Sequence, residues 1–268
     1  MSITEPMLDK RCIVTGSAQG IGRAVAVELG EQGAAHIVLA DRNADAAEET
    51  AELVRKTGAA ATVVAVDLRD RQQIHDLVDT AVQAMGGLDT VVNVAGVIEA
   101  LLTDKPTTVD LLEEEIWDAV FDVNLKAIWL LTKFAAPELR KGNGPAIVNC
   151  SSVSGLTGYP MGAAYCASKG GLIQLTRAAA VDLSPEIRVN CFAPGSIDTP
   201  MRHGFLEAAE DKEAVEKFMI ASHLVRRSGQ AEEVAKVACF LASDASSFVT
   251  GAVYTVDGGS LAWRGSNA

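Results

Sequence analysis

Short apolar runs alternate along this chain with longer stretches in which apolar residues return every three or four positions. Residues 11–15, 36–40, 62–66, 90–94, 146–150, 188–192 and 253–256 are rich in β-branched side chains and predict strands. Residues 21–32, 44–57, 71–85, 113–140, 163–183 and 231–241 carry the helical period. Strand and helix take turns, and the strands are apolar on both faces. That pattern predicts an α/β fold: a doubly wound, seven-stranded parallel sheet with helices on each side.

The 268 residues offer no linker at which to divide them, so a single domain over 1–268 is expected. Hydrophobic residues make up 49% and charged residues 22%, as in ordinary globular proteins. The net charge of −12, with no basic stripe to offset it, argues against a nucleic-acid partner. The first residues lack the basic start and apolar stretch of a secretory signal. No apolar run reaches membrane-spanning length, and a soluble cytoplasmic protein is expected. Cys12, Cys150, Cys166, Cys191 and Cys239 form no Cys-x-x-Cys pair and read as small thiols in a reducing compartment. His36, His75, His203 and His223 are scattered, so no zinc site is expected.

Candidate chemistry begins where the first strand meets Thr15-Gly16-Ser17-Ala18-Gln19-Gly20-Ile21-Gly22 and then a helix. Glycines there let backbone approach a pyrophosphate, and the helix start supplies free N–H groups and a positive dipole end. The Gly-x-x-x-Gly-x-Gly spacing differs from the commoner Gly-x-Gly-x-x-Gly fingerprint, and a plain turn with a cap is the alternative. Asp41 closes the second strand 19 residues beyond Gly22, where a carboxylate takes the hydroxyls of an adenosine ribose and repels a 2′-phosphate. Arg42 is the only basic neighbour that would welcome that phosphate, so NAD is expected over NADP. Asp67 is read either as a contact to the adenine amino group or as a helix N-cap. Asn93-Val94-Ala95-Gly96 is either a cofactor-side turn or a fastening of nearby backbone, and Asn124 is an unusual residue for mid-helix.

Tyr165 and Lys169 stand four apart in a predicted helix and share one face. To act as a base near neutrality, a phenol must be brought down from about 10, a change worth ~4 kcal/mol. A cation about 4 Å away offers ~1 kcal/mol in water and about 4 in a partly enclosed site, while burial alone pushes the other way. The pair is therefore useful only in a cleft. Ser152, just past the fifth strand, lies where open parallel sheets place ligands and is suited to holding a substrate oxygen. As a nucleophile it lacks a Gly-x-Ser-x-Gly elbow and a nearby histidine, which disfavours a serine hydrolase.

Taken in order, Thr15 to Gly22, Asp67, Asn93 to Gly96, Asn124, Ser152, Tyr165, Lys169 and Pro194-Gly195 resemble the short-chain dehydrogenase/reductase family, from about Lys10 to Gly259. The resemblance implies a Rossmann-type fold and a hydride exchange between NAD(H) and a small alcohol or ketone. It makes Tyr165 the general acid and base, Lys169 its activator and ribose ligand, Ser152 the holder of the reacting oxygen, and Asn124 the anchor of a relay water. Gly16, Ser17, Gln19, Gly20, Ile21, Gly22, Asp41, Arg42, Asp67, Leu68, Asn93, Ala95, Gly96, Pro194, Gly195, Ile197 and Thr199 then bind the cofactor beside Tyr165 and Lys169.

A substrate lid is expected at about 201–229, an amphipathic helical pair holding Phe205, Leu206, Phe218, Met219 and Leu224. Tyr159 and Met161 are candidate substrate contacts and suggest a cyclic or aromatic alcohol of modest size. Arg202 and His203 could receive a carboxylate, but solvent exposure is expected for both; the 97–113 connection could rim the pocket, but a path across the surface is expected. The resemblance also implies a homotetramer through the helices at 113–140 and 163–183. A rival reading, an NADH-binding regulator without catalysis, explains the glycine turn and Asp41 but not the coincidence of Ser152, Asn124, Tyr165 and Lys169.

Overall fold

The computed structural model describes residues 6–263. Its order is β1 (Arg11–Thr15), α1 (Gly20–Glu31), β2 (His36–Asp41), α2 (Ala44–Lys56), β3 (Ala60–Ala65), α3 (Arg71–Met85), β4 (Thr90–Asn93), α4 (Glu114–Phe121), α5 (Ala127–Leu139), β5 (Ala146–Cys150), α6 (Ala163–Asp182), β6 (Arg188–Pro194), α7 (Pro200–Glu207), α8 (Lys212–Ala221), α9 (Ala231–Ala242) and β7 (Val253–Val256). All seven strands join one parallel sheet in the order β3-β2-β1-β4-β5-β6-β7.

Period-two alternation explains the double-sided burial. Cys12 and Val14 of β1 face a core with Val25 and Leu29 of α1 and Val234, Ala238 and Leu241 of α9. Ile13, between them, faces the opposite core with Ile74 and Leu77 of α3 and Leu131 and Leu139 of α5. The order in which successive strands are added reverses between β1 and β4, so the carboxyl ends of these parallel strands frame the crevice where such sheets bind ligands.

The helix predicted over 113–140 is interrupted. A π turn, Asp122–Lys126, separates α4 from α5 and has the fully buried Asn124 at its middle. Asn124 turns its amide onto the main chain of Val97 instead of solvent, an attachment outside the helix that its period does not encode. β3 begins two residues earlier than predicted because His36 of β2 pairs with Ala60.

Candidate active site

The turn after β1 is closed against main chain. Gly16 has φ 68°, and a Cβ there would sit 2.7 Å from the Ala95 backbone. A Cβ on Gly22 would sit 2.0 Å from the Gly16 carbonyl oxygen, so the first turn of α1 rests directly on the turn. Ser17 is buried, Gln19 exposed, and Gly20 and Ile21 half-buried at the helix start. The Asp41 carboxylate accepts from the Ala18 N–H and the Asn43 N–H, each at 3.0 Å, which holds it beside the glycine turn. Arg42 is exposed. Arg23, a second basic group near this turn, places its guanidinium on the Ala18 carbonyl, Thr50 Oγ1 and Glu49. This set fits a dinucleotide: backbone that no side chain fills, a helix start, and a fixed carboxylate.

Two expected cofactor residues have other partners. Asp67, followed by the half-buried Leu68, is paired with Arg69 at 2.7 Å, and hydrogen bonds to that residue lower its pKa. The N-cap of α3 is Asp70, which accepts from Gln72 and Gln73, so the capping reading of Asp67 does not hold. Asn93 is buried and donates to Asn149 Oδ1 at 2.8 Å, and Asn149 donates in turn to Thr176 Oγ1 at 3.0 Å. This side-chain ladder fastens β4, β5 and α6 beneath the crevice. Thr15, which heads the glycine motif but to which the sequence reading gives no role of its own, holds the end of β4, its Oγ1 accepting from Val94 N and Ala95 N.

At the ends of β4 and β5 the predicted catalytic residues converge. Lys169 is buried, donates to the Cys150 carbonyl at 2.8 Å, and has Nζ 5.7 Å from the centre of the Tyr165 ring. A Cβ on Gly96 would meet Asn124 Oδ1 at 3.2 Å and Lys169 Nζ at 3.3 Å, which puts these three at one point. Ser152 lies within hydrogen-bonding reach of the Tyr165 phenol and also accepts from Ser154 N at 3.1 Å. Burial pushes the phenol well above its ordinary value, with Cys150, Cys166 and Glu99 adding to the rise and the Ser152 bond opposing it. Burial likewise pushes Lys169 down. Desolvation is the leading cause, Lys169 is not among the groups that lower the phenol, and the protein's own groups leave the tyrosine holding its proton.

The substrate side is made of side chains. The Tyr159 ring lies edge-on to Tyr165 at 6.4 Å and to Phe205 of α7 at 6.3 Å. Residues 198–228 leave and return at one place: Ile197 bridges to Gly229, the Asp198 N–H donates to the Gly229 carbonyl at 2.8 Å, and the Gly229 N–H to the Ser196 carbonyl at 3.0 Å. Within this excursion Phe218 is 67% exposed, so it takes no part in an apolar closing face. Arg202 corrects the surface expectation. Its side chain is buried and donates to Ser196 Oγ and Glu216, pinning α7 to α8, whereas His203 stays exposed beside Asp198. Thr199 caps α7 through Arg202 N, and its Cγ2 would lie 3.3 Å from a Cβ on Gly20, so this turn abuts the start of α1. Pro194 is buried, and the Gly195 N–H donates to the Val256 carbonyl at 3.0 Å.

The 97–113 connection is likewise not a plain surface loop, for Ile98, Glu99 and Thr107 are buried. A separate cavity of about 480 Å³ between α7, α8 and residues 226–230 is lined by Asp198, Arg202, Glu216 and Arg227, among others, and contains none of Ser152, Tyr165 or Lys169. Among the described residues no cluster of three or more His, Cys, Asp or Glu could hold a metal ion, and no helix is long and apolar enough to cross a membrane.

Residues 16–260 match the family model described as enoyl-(acyl carrier protein) reductase. The chain is 39% identical over 253 residues to the 3-oxoacyl-(acyl-carrier-protein) reductase FabG of Thermotoga maritima, covering 93% of this chain and 97% of the relative. It is 38% identical over 252 residues to a cyclopentanol dehydrogenase of a Comamonas strain, covering 94% and 96%. A crystal structure of carveol dehydrogenase from Mycobacterium avium in complex with NAD superposes with a TM-score of 0.88 at 30% identity, covering 97% of this chain and 100% of that one.

Proposed function

The chain belongs to the short-chain dehydrogenase/reductase family, and on that premise we propose that it interconverts a cyclic secondary alcohol and its ketone using NAD(H), with Tyr165 as general acid and base. The observation that carries this reading is the meeting of the Ser152 hydroxyl, the Tyr165 phenol and the Lys169 ammonium in one buried place at the carboxyl ends of the strands.

Reduction of a ketone needs a proton at its oxygen. A phenol that burial keeps protonated is ready to give it, while Ser152 holds the same oxygen. Oxidation returns the proton to the phenolate. Lys169 spends one N–H on the Cys150 carbonyl and keeps two donors for a ribose hydroxyl and for the proton's route. Both Asn124 side-chain N–H groups are already engaged, so the relay water falls to a backbone carbonyl of the widened Asp122–Lys126 turn. The nicotinamide, when bound, supplies or accepts the hydride.

NAD over NADP is supported by Asp41, whose carboxylate is held beside the glycine turn and would repel a 2′-phosphate, and by Arg23, whose guanidinium is committed elsewhere. A cyclic substrate is supported by the Tyr159 and Phe205 edges and by the cyclopentanol and carveol dehydrogenases among the similar proteins. We place the whole activity in one cytoplasmic domain with 201–229 as lid. A homotetramer is supported by Trp117 and Trp129, exposed on the α4–α5 face. Light scattering at micromolar concentration tests that state.

The test of the reaction is Tyr165→Phe. Turnover of cyclopentanol with NAD should fall by ~100-fold or more, with NADH binding, followed by nicotinamide fluorescence, unchanged. Retained turnover rejects the reading.

A further inference from the structure

The stretch that leaves β4 and runs to α4 is a strap on the start of α6. Asn124 holds its near end, accepting from Val97 N and donating to the Val97 carbonyl, both at 2.9 Å. Glu99 Oε1 then accepts from the Tyr165 N–H at 2.9 Å, and Thr107 Oγ1 donates to the Met161 carbonyl at 2.8 Å. The other side of the Tyr165 peptide is gripped as well. Ser168 Oγ donates to the Tyr165 carbonyl at 2.8 Å and accepts from Asn124 Nδ2 at 3.1 Å.

Local sequence does not supply what Glu99 supplies. The N-cap of α6 is Gly162, with no side-chain cap and no acidic residue in the first turn. A carboxylate brought from elsewhere in the chain meets the free N–H groups and the positive dipole end instead. Glu99 is 0% exposed and its Oε2 has no hydrogen-bond partner. A buried, half-paired carboxyl group is a destabilising choice beside an amide or an apolar side chain of similar shape, so packing does not account for it.

We propose that Glu99 is a positioning residue for the reaction: by clamping the Tyr165 amide it fixes the first turn of α6, and with it the phenol, to the loop that passes Gly96 at the cofactor crevice. This rests on the reading of Tyr165 as proton donor. The groups facing the phenol are Cys150 and Ser152 from β5 and the turn after it, Cys166 and Lys169 from α6, Tyr159 from the preceding loop, and Glu99 from the strap. Glu99 is among those that push the phenol up, so removing its charge brings the phenol down.

The test compares Glu99→Gln, Glu99→Leu and Tyr165→Phe in the full chain, with NADH and cyclopentanone as probes. Glu99→Gln keeps an acceptor oxygen for the Tyr165 N–H and is expected to melt no lower than the parent and to keep the parental kcat for ketone reduction. Glu99→Leu is expected to lose about 10- to 100-fold in kcat, with its Kd for NADH unchanged. A folded Glu99→Leu with parental kcat overturns the proposal, and so does a Glu99→Gln whose kcat falls as far as that of Tyr165→Phe although the acceptor is kept, which decides the matter if the leucine variant does not fold. An active Tyr165→Phe overturns it through its premise, whereas parental Glu99→Leu beside an inactive Tyr165→Phe overturns it alone.

Discussion

The two walls of the crevice are built on different plans. The cofactor wall is main chain against main chain: Gly16 on Ala95, Gly22 on the Gly16 carbonyl, and a carboxylate held by two amides. The substrate wall is side chain against side chain, Tyr159 on Phe205 and Tyr165, and it includes a buried Tyr159 hydroxyl with no protein partner. Main chain has no alternative rotamer, so the first wall tolerates little change, while the second can be altered one side chain at a time.

Substitutions on each wall test that contrast. The largest effect is expected from Gly22→Ala, whose methyl would sit 2.0 Å from a carbonyl oxygen. Overpacking of about 1–3 kcal/mol corresponds to a loss of roughly 5- to 150-fold in NADH affinity by fluorescence titration, and an unchanged Kd would show that this wall has slack. Next is Asp41→Ala, which removes the carboxylate that repels a 2′-phosphate. The ratio of kcat/KM for NAD over NADP should fall by ~10-fold, about 1.4 kcal/mol, and a constant ratio would put the discrimination elsewhere. The smallest is Phe205→Ala on the substrate wall. Its ketone KM should rise by ~3-fold, within the range for lost apolar contact in a pocket, with NADH affinity unchanged. An equal loss from the exposed Phe218→Ser would erase the distinction between facing the crevice and facing water.

The same contrast explains what could be read from the chain. Strands and glycine turn were legible because periodicity and the need for residues without Cβ are local properties of the sequence. So was the pairing of Tyr165 with Lys169, four apart on one helix. The break at Asp122–Lys126 was not, because its cause is the attachment of Asn124 to Val97, 27 residues earlier. Asn93 reads either as a cofactor-side residue or as a fastening of nearby backbone, and its fastening partners Asn149 and Thr176 come beside it only through strand pairing and helix docking. Arg202 reads as a surface cation until Glu216 folds back on it. Glu99 carried no signal beyond being an acid after a glycine turn, since its partner amide lies 66 positions on.

The stitched neck of the 198–228 excursion has a practical consequence. Because Ser196, Ile197 and Asp198 are bonded to Gly229 at both departure and return, the ends of that segment stay fixed whatever lies between them. It is a cassette: a foreign pair of helices spliced in place of residues 200–228 would keep those anchors and Thr199 beside the start of α1, and would bring its own appetite for substrates.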